Sequence, residues 1–395
     1  MVKFGKGVVK CRILILILGV LLLIPSLFGM LSTRINYDML TYLPEDMDTV
    51  KGQNILLDDF GKGAFSMVVV EGLETKEVAD LKEKIQQVDH VESVIWYDSL
   101  MDLSVPMELL PEKYYDAFNN GDATVMAVFF DTSTSADETM DAVASIRSLA
   151  GKQCFVSGMS ALVTDLRDLC EREEPIYVLI AVALSCLVMM VFMDSFLLPF
   201  LFLASIGMAI VWNLGSNFFL GEISYITKAL ASVLQLAVTM DYSIFLWHSY
   251  SEQKLRFAGD KKRAMAHAIS NTVTSVLGSS ITTVAGFIAL CFMTFTLGRD
   301  LGIVMAKGVI LGVIGCITTL PALILLFDGA IEKTRHRSLI PKADKLAGFV
   351  TRHSWVFLIV FVVVMIPALY GYTHTKVYYD LTESLPEDLD CIIAN

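Results

Sequence analysis

Residues 232–250 read SVLQLAVTMDYSIFLWHSY. The run is apolar enough to lie inside a membrane-spanning helix, which needs about 20 mostly apolar residues. It nonetheless holds a carboxylic acid, Asp241, seven positions before His248. An ionisable group at the centre of such a helix costs about 2.5–3.5 kcal/mol on insertion scales, and Asp has too short a stem to reach the interface. Two readings stand. One is a proton-binding carboxylate whose burial raises its pKa towards working pH, so that protonation couples to movement. The other is a structural Asp bonded to a neighbouring helix. At about 100° per residue, Ser232, Gln235, Thr239 and Tyr242 form a polar stripe, whereas Asp241 shares the face of Leu234, Ala237, Val238, Phe245 and His248. Both faces need shielding from lipid, which predicts a central place for this helix in a bundle.

Six further windows have the same character, giving seven: roughly 13–31, 175–193, 197–219, 225–248, 272–295, 302–327 and 354–373. The first, from Ile13 to Leu31, has no small-residue cleavage site and reads as a retained anchor. The turn Met193–Asp194–Ser195 is short enough to make spans two and three an antiparallel hairpin. The whole chain of 395 residues is 55% hydrophobic and 18% charged, with a mean hydropathy of +0.61 and a net charge of −12. A soluble chain carries about 25% charged residues. Composition therefore excludes a disordered chain, a disulfide-rich secreted module and a nucleic-acid binder. The acid excess is local: residues 31–173 hold 27 Asp and Glu against 11 Lys and Arg, a net of −16, while the remainder nets +4.

Lys and Arg fix an expected orientation. Lys3, Lys6, Lys10 and Arg12 precede span one; Lys254, Arg256, Lys261, Lys262 and Arg263 join spans four and five; Lys333, Arg335, Arg337, Lys342, Lys345 and Arg352 join six and seven. With alternating spans all three groups fall on one side, read as cytoplasmic. The loops opposite hold only Glu222 and the pair Arg299–Asp300. The acidic region then lies outside. Its rhythm is strand 64–71, helix 75–88, strand 91–97, a Pro-bearing connector, strand 123–130, helix 136–149 and strand 153–157. That order, β-α-β-β-α-β, suggests a split βαβ, ferredoxin-like unit. Residues 160–174 read as a helix leading into span two. The expected layout is a cytoplasmic tail and first span (1–31), an extracytoplasmic α+β domain (32–173), a five-helix block (174–327), a cytoplasmic loop (328–353), span seven (354–374) and the start of a second outer domain (375–395).

An internal repeat underlies that last assignment. Residues 11–48 align without a gap onto 353–390, with 15 identities in 38 positions, among them Pro25/Pro367, Gly29/Gly371, Asp38/Asp380 and the whole Leu-Pro-Glu-Asp run. Span seven thus restarts the plan of span one, and the chain reads as the first half of a duplicated protein plus one helix, from a truncated or split gene.

Several polar residues inside the spans have two readings. Ser279, Ser280, Thr282 and Thr283 on span five and Thr318 and Thr319 on span six lie at depths similar to Asp241, where they would bond its carboxylate or adjacent water, or else pack helices closely. Lys228 and Lys307 lie near outer helix ends and are expected to snorkel. His248 is either a proton conduit or an interfacial histidine. Gly302, Gly308, Gly312 and Gly315 let helix backbones approach. Segment 252–270 is either an amphipathic helix along an anionic leaflet or a solvated connector. Cys186, Cys291 and Cys316 read as small core residues; Cys154 and Cys170 match no metal spacing, and pairing between them would need an extracytoplasmic domain. No Walker A loop, zinc-ligand cluster or nucleophile elbow is present, which disfavours ATP-driven transport and leaves an ion gradient.

Three stretches resemble the MMPL branch of the RND superfamily of membrane exporters: GEISYITKALASVLQLAVTMDYSIFLWHSYSE (221–252), SVLGSSITTVAGFIALCF (275–292) and GRDLGIVMAKGVILGVIGCITTLPALIL (298–325). The resemblance covers nearly the whole chain, including its one-helix, large-domain, five-helix, one-helix layout. It implies an α-helical membrane bundle of about seven spans with an extracytoplasmic ferredoxin-like porter domain, an RND-type half-transporter in the plasma membrane. It implies export of lipidic or other hydrophobic compounds driven by the proton-motive force, without enzyme activity, cofactor or metal. Asp241 and Tyr242 match the family's helix-four proton-relay pair, whose partner pair lies in a helix ten that this chain lacks. The partners implied are the bilayer, protons, a hydrophobic substrate and the second half; the superfamily includes trimers and monomers, which leaves a homo-oligomer open. Two alternatives stay open: an accessory or sensing protein akin to the SecDF protein-export factor or the sterol-sensing proteins, and an inactive fragment that needs its second half.

Overall fold

The computed structural model describes residues 1–59, 61, 63–99, 112–336, 344–375, 385–386 and 389–393. The Pro-bearing connector, Arg337, Lys342 and, in the repeat, Asp380, Glu387 and Asp388 lie outside them. The chain begins with a short helix, α1 (Val2–Lys10), which buries Gly5, Val8 and Val9 and leaves Lys3, Lys6 and Lys10 exposed. It breaks at Cys11 and turns into the first span, α2 (Arg12–Ser32). A three-residue strand, β1 (Arg34–Asn36), and a helix, α3 (Asp48–Asp58), lead into the α/β unit.

That unit contains β2 (Ala64–Glu71), α4 (Thr75–Gln86), β3 (Val91–Ile95), α5 (Glu112–Phe118), β4 (Asn119–Asn120), β5 (Ala123–Phe130), α6 (Asp137–Ala150) and β6 (Cys154–Ser157). The four longer strands lie in the spatial order β3-β5-β2-β6, each pair antiparallel, and β4 pairs with β5. Strand alternation explains the core. Ala64, Ser66, Val68 and Val70 point inward from β2, and meet Val78, Leu81 and Ile85 of α4 and Val143 and Ile146 of α6.

The membrane part follows: α7 (Met159–Phe192), α8 (Leu198–Gly215), β7 (Glu222–Ser224), α9 (Tyr225–Arg256), α10 (Lys261–Leu290), α11 (Leu297–Ile314) and α12 (Leu320–Lys333). Then come α13 (Asp344–Arg352), α14 (Ser354–His374) and α15 (Asp390–Ile393). Seven helices among the described residues are long and apolar enough to cross a membrane, in the positions the seven windows indicate. Helices α11 and α12 make one such span, joined by a π turn at Gly315–Thr319 that precedes Pro321, a residue without an N–H to donate. Residues 160–174 do form a helix, but one continuous with span two through Pro175. Segment 252–270 is neither of its two readings: it comprises the end of α9, a turn with positive φ at Ala258 and Gly259, and the start of α10. The amphipathic helix is α1 instead. All seven cysteines are free, Cys154 being buried in the α/β core and Cys170 lying on α7.

The described end of the chain packs on the first α/β unit. Leu389, Cys391 and Ile392 close the core of the first α/β unit. The Ser157 hydroxyl donates to the Cys391 carbonyl (3.1 Å), and the Cys391 N–H donates to Asp165 (3.2 Å), which holds a bidentate pair with Arg147. Apolar residues at this spacing bury themselves on the nearest open core.

Candidate functional site

Helix α9 begins where the Ser224 hydroxyl accepts the Ile226 N–H, an N-cap that ends β7 and starts the span. Its polar stripe turns inward as the periodicity requires: Ser232, Gln235, Thr239 and Tyr242 are all buried. On α8, the Asn213 amide donates to the Gln235 side-chain oxygen at 2.9 Å. On α11, Gly308 faces this amide pair and Gly312 faces the Thr239 methyl so closely that a Cβ at Gly312 would strike it. The Gly-x-x-x-Gly pair therefore brings the α11 backbone against the polar stripe of α9. Thr239 donates back to the Gln235 carbonyl (2.6 Å), which satisfies its hydroxyl within the helix.

Asp241 lies halfway along the same helix and is exposed, in one stripe with Leu230, Leu234, Ala237, Phe245 and His248. It makes no hydrogen bond or ion pair with the described residues. The expectation of a buried Asp-Tyr pair is corrected accordingly: Tyr242 is buried, Asp241 is not, because neighbouring positions on a helix are about 100° apart and only the Tyr242 side has helices packed on it. Nor is α9 covered on both faces. The six hydroxyls do not reach the carboxylate. Ser279, Ser280, Thr282, Thr283 and Thr318 each donate to a carbonyl of their own helix, and Thr319 is buried in the π turn. Hydroxyls three or four residues from a carbonyl find it more readily than a partner across a helix gap.

The other intramembrane cations find partners within the protein. Lys228 pairs with Glu174 of α7 at 3.0 Å, and Lys307 donates to the Asn217 side chain at 2.5 Å. His248 is exposed. At the Lys/Arg-rich end, Asp328 is buried and accepts from the Tyr250 hydroxyl (2.8 Å), Lys254 (3.1 Å) and Lys261 (2.6 Å), tying α9, α10 and α12 together. The hairpin turn is fastened there too, since Trp247 donates to Asp194 and Arg335 pairs with it.

At the opposite end, β1 pairs in parallel with β7, Arg34 to Asn36 against Glu222 to Ser224. Asp300 accepts the Ser224 N–H (2.8 Å) and the Thr227 hydroxyl (2.7 Å); Tyr37 stacks on Tyr225 with centroids 5.5 Å apart. The Tyr42 carbonyl accepts from Thr296. Burial pushes the Tyr37 and Tyr42 hydroxyls and the Asp38 carboxyl above their ordinary values, with Glu171 adding to the first and Asp300 to the second. Asn213, Asn217, Asp300 and Asp328 escaped the sequence reading as structural polar groups. Two amides four residues apart in an apolar window, and a lone Asp after the apolar run 320–327, are the signals that point to them.

Among proteins of known sequence, residues 75–364 match the model of the MMPL family. "Probable transport protein MmpL12" of Mycobacterium tuberculosis is 26% identical over 354 residues, covering 86% of this chain and 29% of that protein. Membrane protein MJ1562 of Methanocaldococcus jannaschii is 21% identical over 373 residues, covering 84% of this chain and 94% of that one. A solved structure of SecDF aligns with a TM-score of 0.43 at 13% identity, over 82% of this chain and 39% of its own. The chain spans 40% of the length of one curated relative, ActII-3 of Streptomyces coelicolor, and 29% of MmpL12. With the family match running from α4 to α14, this multi-pass membrane protein belongs to the MMPL family.

Proposed function

We propose that the chain is the N-terminal half of a proton-motive-force-driven exporter of lipidic or other hydrophobic compounds, with Asp241 as the proton-accepting carboxylate and Tyr242 beside it in the relay. The observation that carries the reading is a mid-span carboxylate, exposed and without a partner among the described residues, on a helix whose other stripe is sealed. Left facing hydrocarbon, such a group costs about 2.5–3.5 kcal/mol. The face therefore asks for a protein partner, and the repeat that restarts at α14 supports a second half in that place. Enclosure at that interface, rather than by this half alone, ties the carboxylate's proton role to how the halves sit. Among the described residues nothing shields Asp241, so the proton role draws on family membership and on this unmet need. In the same proposal the α/β unit is a ferredoxin-like porter domain outside the plasma membrane, and the Lys/Arg-rich helix ends are cytoplasmic.

The test is Asp241→Asn in the full-length protein. Substrate accumulation is measured in energised membrane vesicles with and without an uncoupler. Gradient-driven transport is expected to vanish while expression and insertion stay normal. Normal transport by the variant, or transport indifferent to the uncoupler, ends the proposal.

A further inference from the structure

We infer that the groove between α1 and the start of α10 is a binding site for the phosphate headgroup of an anionic membrane phospholipid. The two helices meet because Gly5 lies flush on the α10 backbone at Ala266, where any Cβ would collide with the Ala266 carbonyl, and because Val8 and Val9 are buried there. This contact sets Lys6, Lys10 and Arg12 across from Lys262 and Arg263 around one cavity of about 700 Å³. The cavity has one acid, Asp260, and its carboxylate is already engaged, accepting the Arg263 N–H as the N-cap of α10. None of the five cations makes an ion pair with a carboxylate among the described residues. Lys254 and Lys261, at the same end of the bundle, behave otherwise: both are paired with Asp328. Five unneutralised cations are thus gathered around a single cavity, next to two that the protein neutralises itself.

The cavity is also shaped for an amphiphile. Val9 of α1 and Ile13, at the start of the apolar span, line it together with the cations, so it lies where the polar surface gives way to the span. One wall is held in place by aromatic contacts: the Arg263 guanidinium lies 4.6 Å from the Phe257 ring centroid, and the His267 ring lies 4.8 Å from it. A group with several anionic oxygens and attached acyl chains fits both the charge and the position. Basic pockets at this level of a membrane protein are suited to such headgroups.

The test is native mass spectrometry of the full chain extracted from vesicles of mixed phosphatidylcholine and phosphatidylglycerol, counting retained lipid. Preferential retention of phosphatidylglycerol is expected. Each removed cation is expected to weaken it about five-fold, so Lys10→Gln with Arg263→Gln loses roughly twenty-five-fold. Lys10→Arg with Arg263→Lys, which keeps the charge, is expected to bind as the parent does; loss in that variant would make the effect one of packing and overturn the site. Lys3 lies on the same helix outside the cavity, so Lys3→Gln is expected to change nothing; an equal loss there would reduce the effect to diffuse surface attraction. Equal retention of the two lipids, or displacement of phosphatidylglycerol by an equal concentration of inorganic phosphate, would also overturn the proposal, the latter in favour of a free-phosphate site.

Discussion

Asp38 is 2% exposed at the junction between the first span and the α/β unit. One carboxylate oxygen accepts the Leu40 N–H at 2.8 Å; the other is buried without a hydrogen-bond partner. Burial raises its pKa above the ordinary carboxyl value, and the Leu40 bond offsets only part of that. A raised folded-state pKa means the native protein holds the proton more tightly than the unfolded chain. Its contribution to stability is full below the unfolded value of 3.8 and is lost as pH rises through the folded-state pKa. Asp38→Asn keeps an oxygen for Leu40 and removes the charge. The variant is expected to melt higher than the parent at neutral pH, and the difference is expected to shrink on acidification towards pH 4. Thermal unfolding in detergent at the two pH values checks this. A variant that melts lower at neutral pH would show that an ionised Asp38 is stabilised by something its surroundings do not display.

Helix α11 reaches α9 only because two of its residues have no side chain. Gly312 faces the Thr239 methyl at a distance no real Cβ tolerates, and a β-branched threonine cannot swing aside cheaply. Gly312→Ala is therefore expected to destabilise the bundle by about 1–3 kcal/mol. Thr239→Ser removes the offending methyl and keeps the hydroxyl bond to the Gln235 carbonyl, so the double variant is expected to recover most of the loss. A double-mutant cycle on thermal stability reads the coupling directly. What was legible beforehand follows the same logic of scale. Seven windows of continuous hydrophobicity became seven helices, and the alternation in AFSMVVVE became a strand with one buried face, since both patterns are local. The polar stripe of α9 was legible from spacing, but which face neighbours would cover was not. Covering depends on Gly308 and Gly312 more than seventy positions away. Pairing of β1 with β7 was out of reach for the same reason; the break at Cys11 that frees α1 falls at the polar edge of the first window, where no proline or glycine marks a helix end.

At the scale of the molecule, the α/β unit and the membrane bundle are joined in two ways. Helix α7 runs unbroken from one into the other over 34 residues, and β1 is stapled to β7 at the head of α9. The second joint is the more consequential, because α9 is the helix that carries Asp241. Any displacement of α9 along its axis moves Ser224 and Tyr225, and with them β1 and the chain that leads into the α/β unit. Asp300 is the clamp on this joint: its carboxylate holds the buried Ser224 N–H and the buried Thr227 hydroxyl from a third helix, α11. Asp300→Ala leaves both donors without an acceptor, each worth about 1–3 kcal/mol when buried. The expected outcome is local rather than global. Backbone hydrogen exchange in 34–36 and 222–224 is expected to quicken by roughly 5- to 150-fold, the equivalent of that range for one donor, while β2 and β5 of the α/β unit keep their protection. Uniform acceleration through the whole chain would mean that Asp300 supports the fold at large. Unchanged exchange at the joint would mean that the backbone pairing of β1 with β7 holds by itself, without the Asp300 clamp.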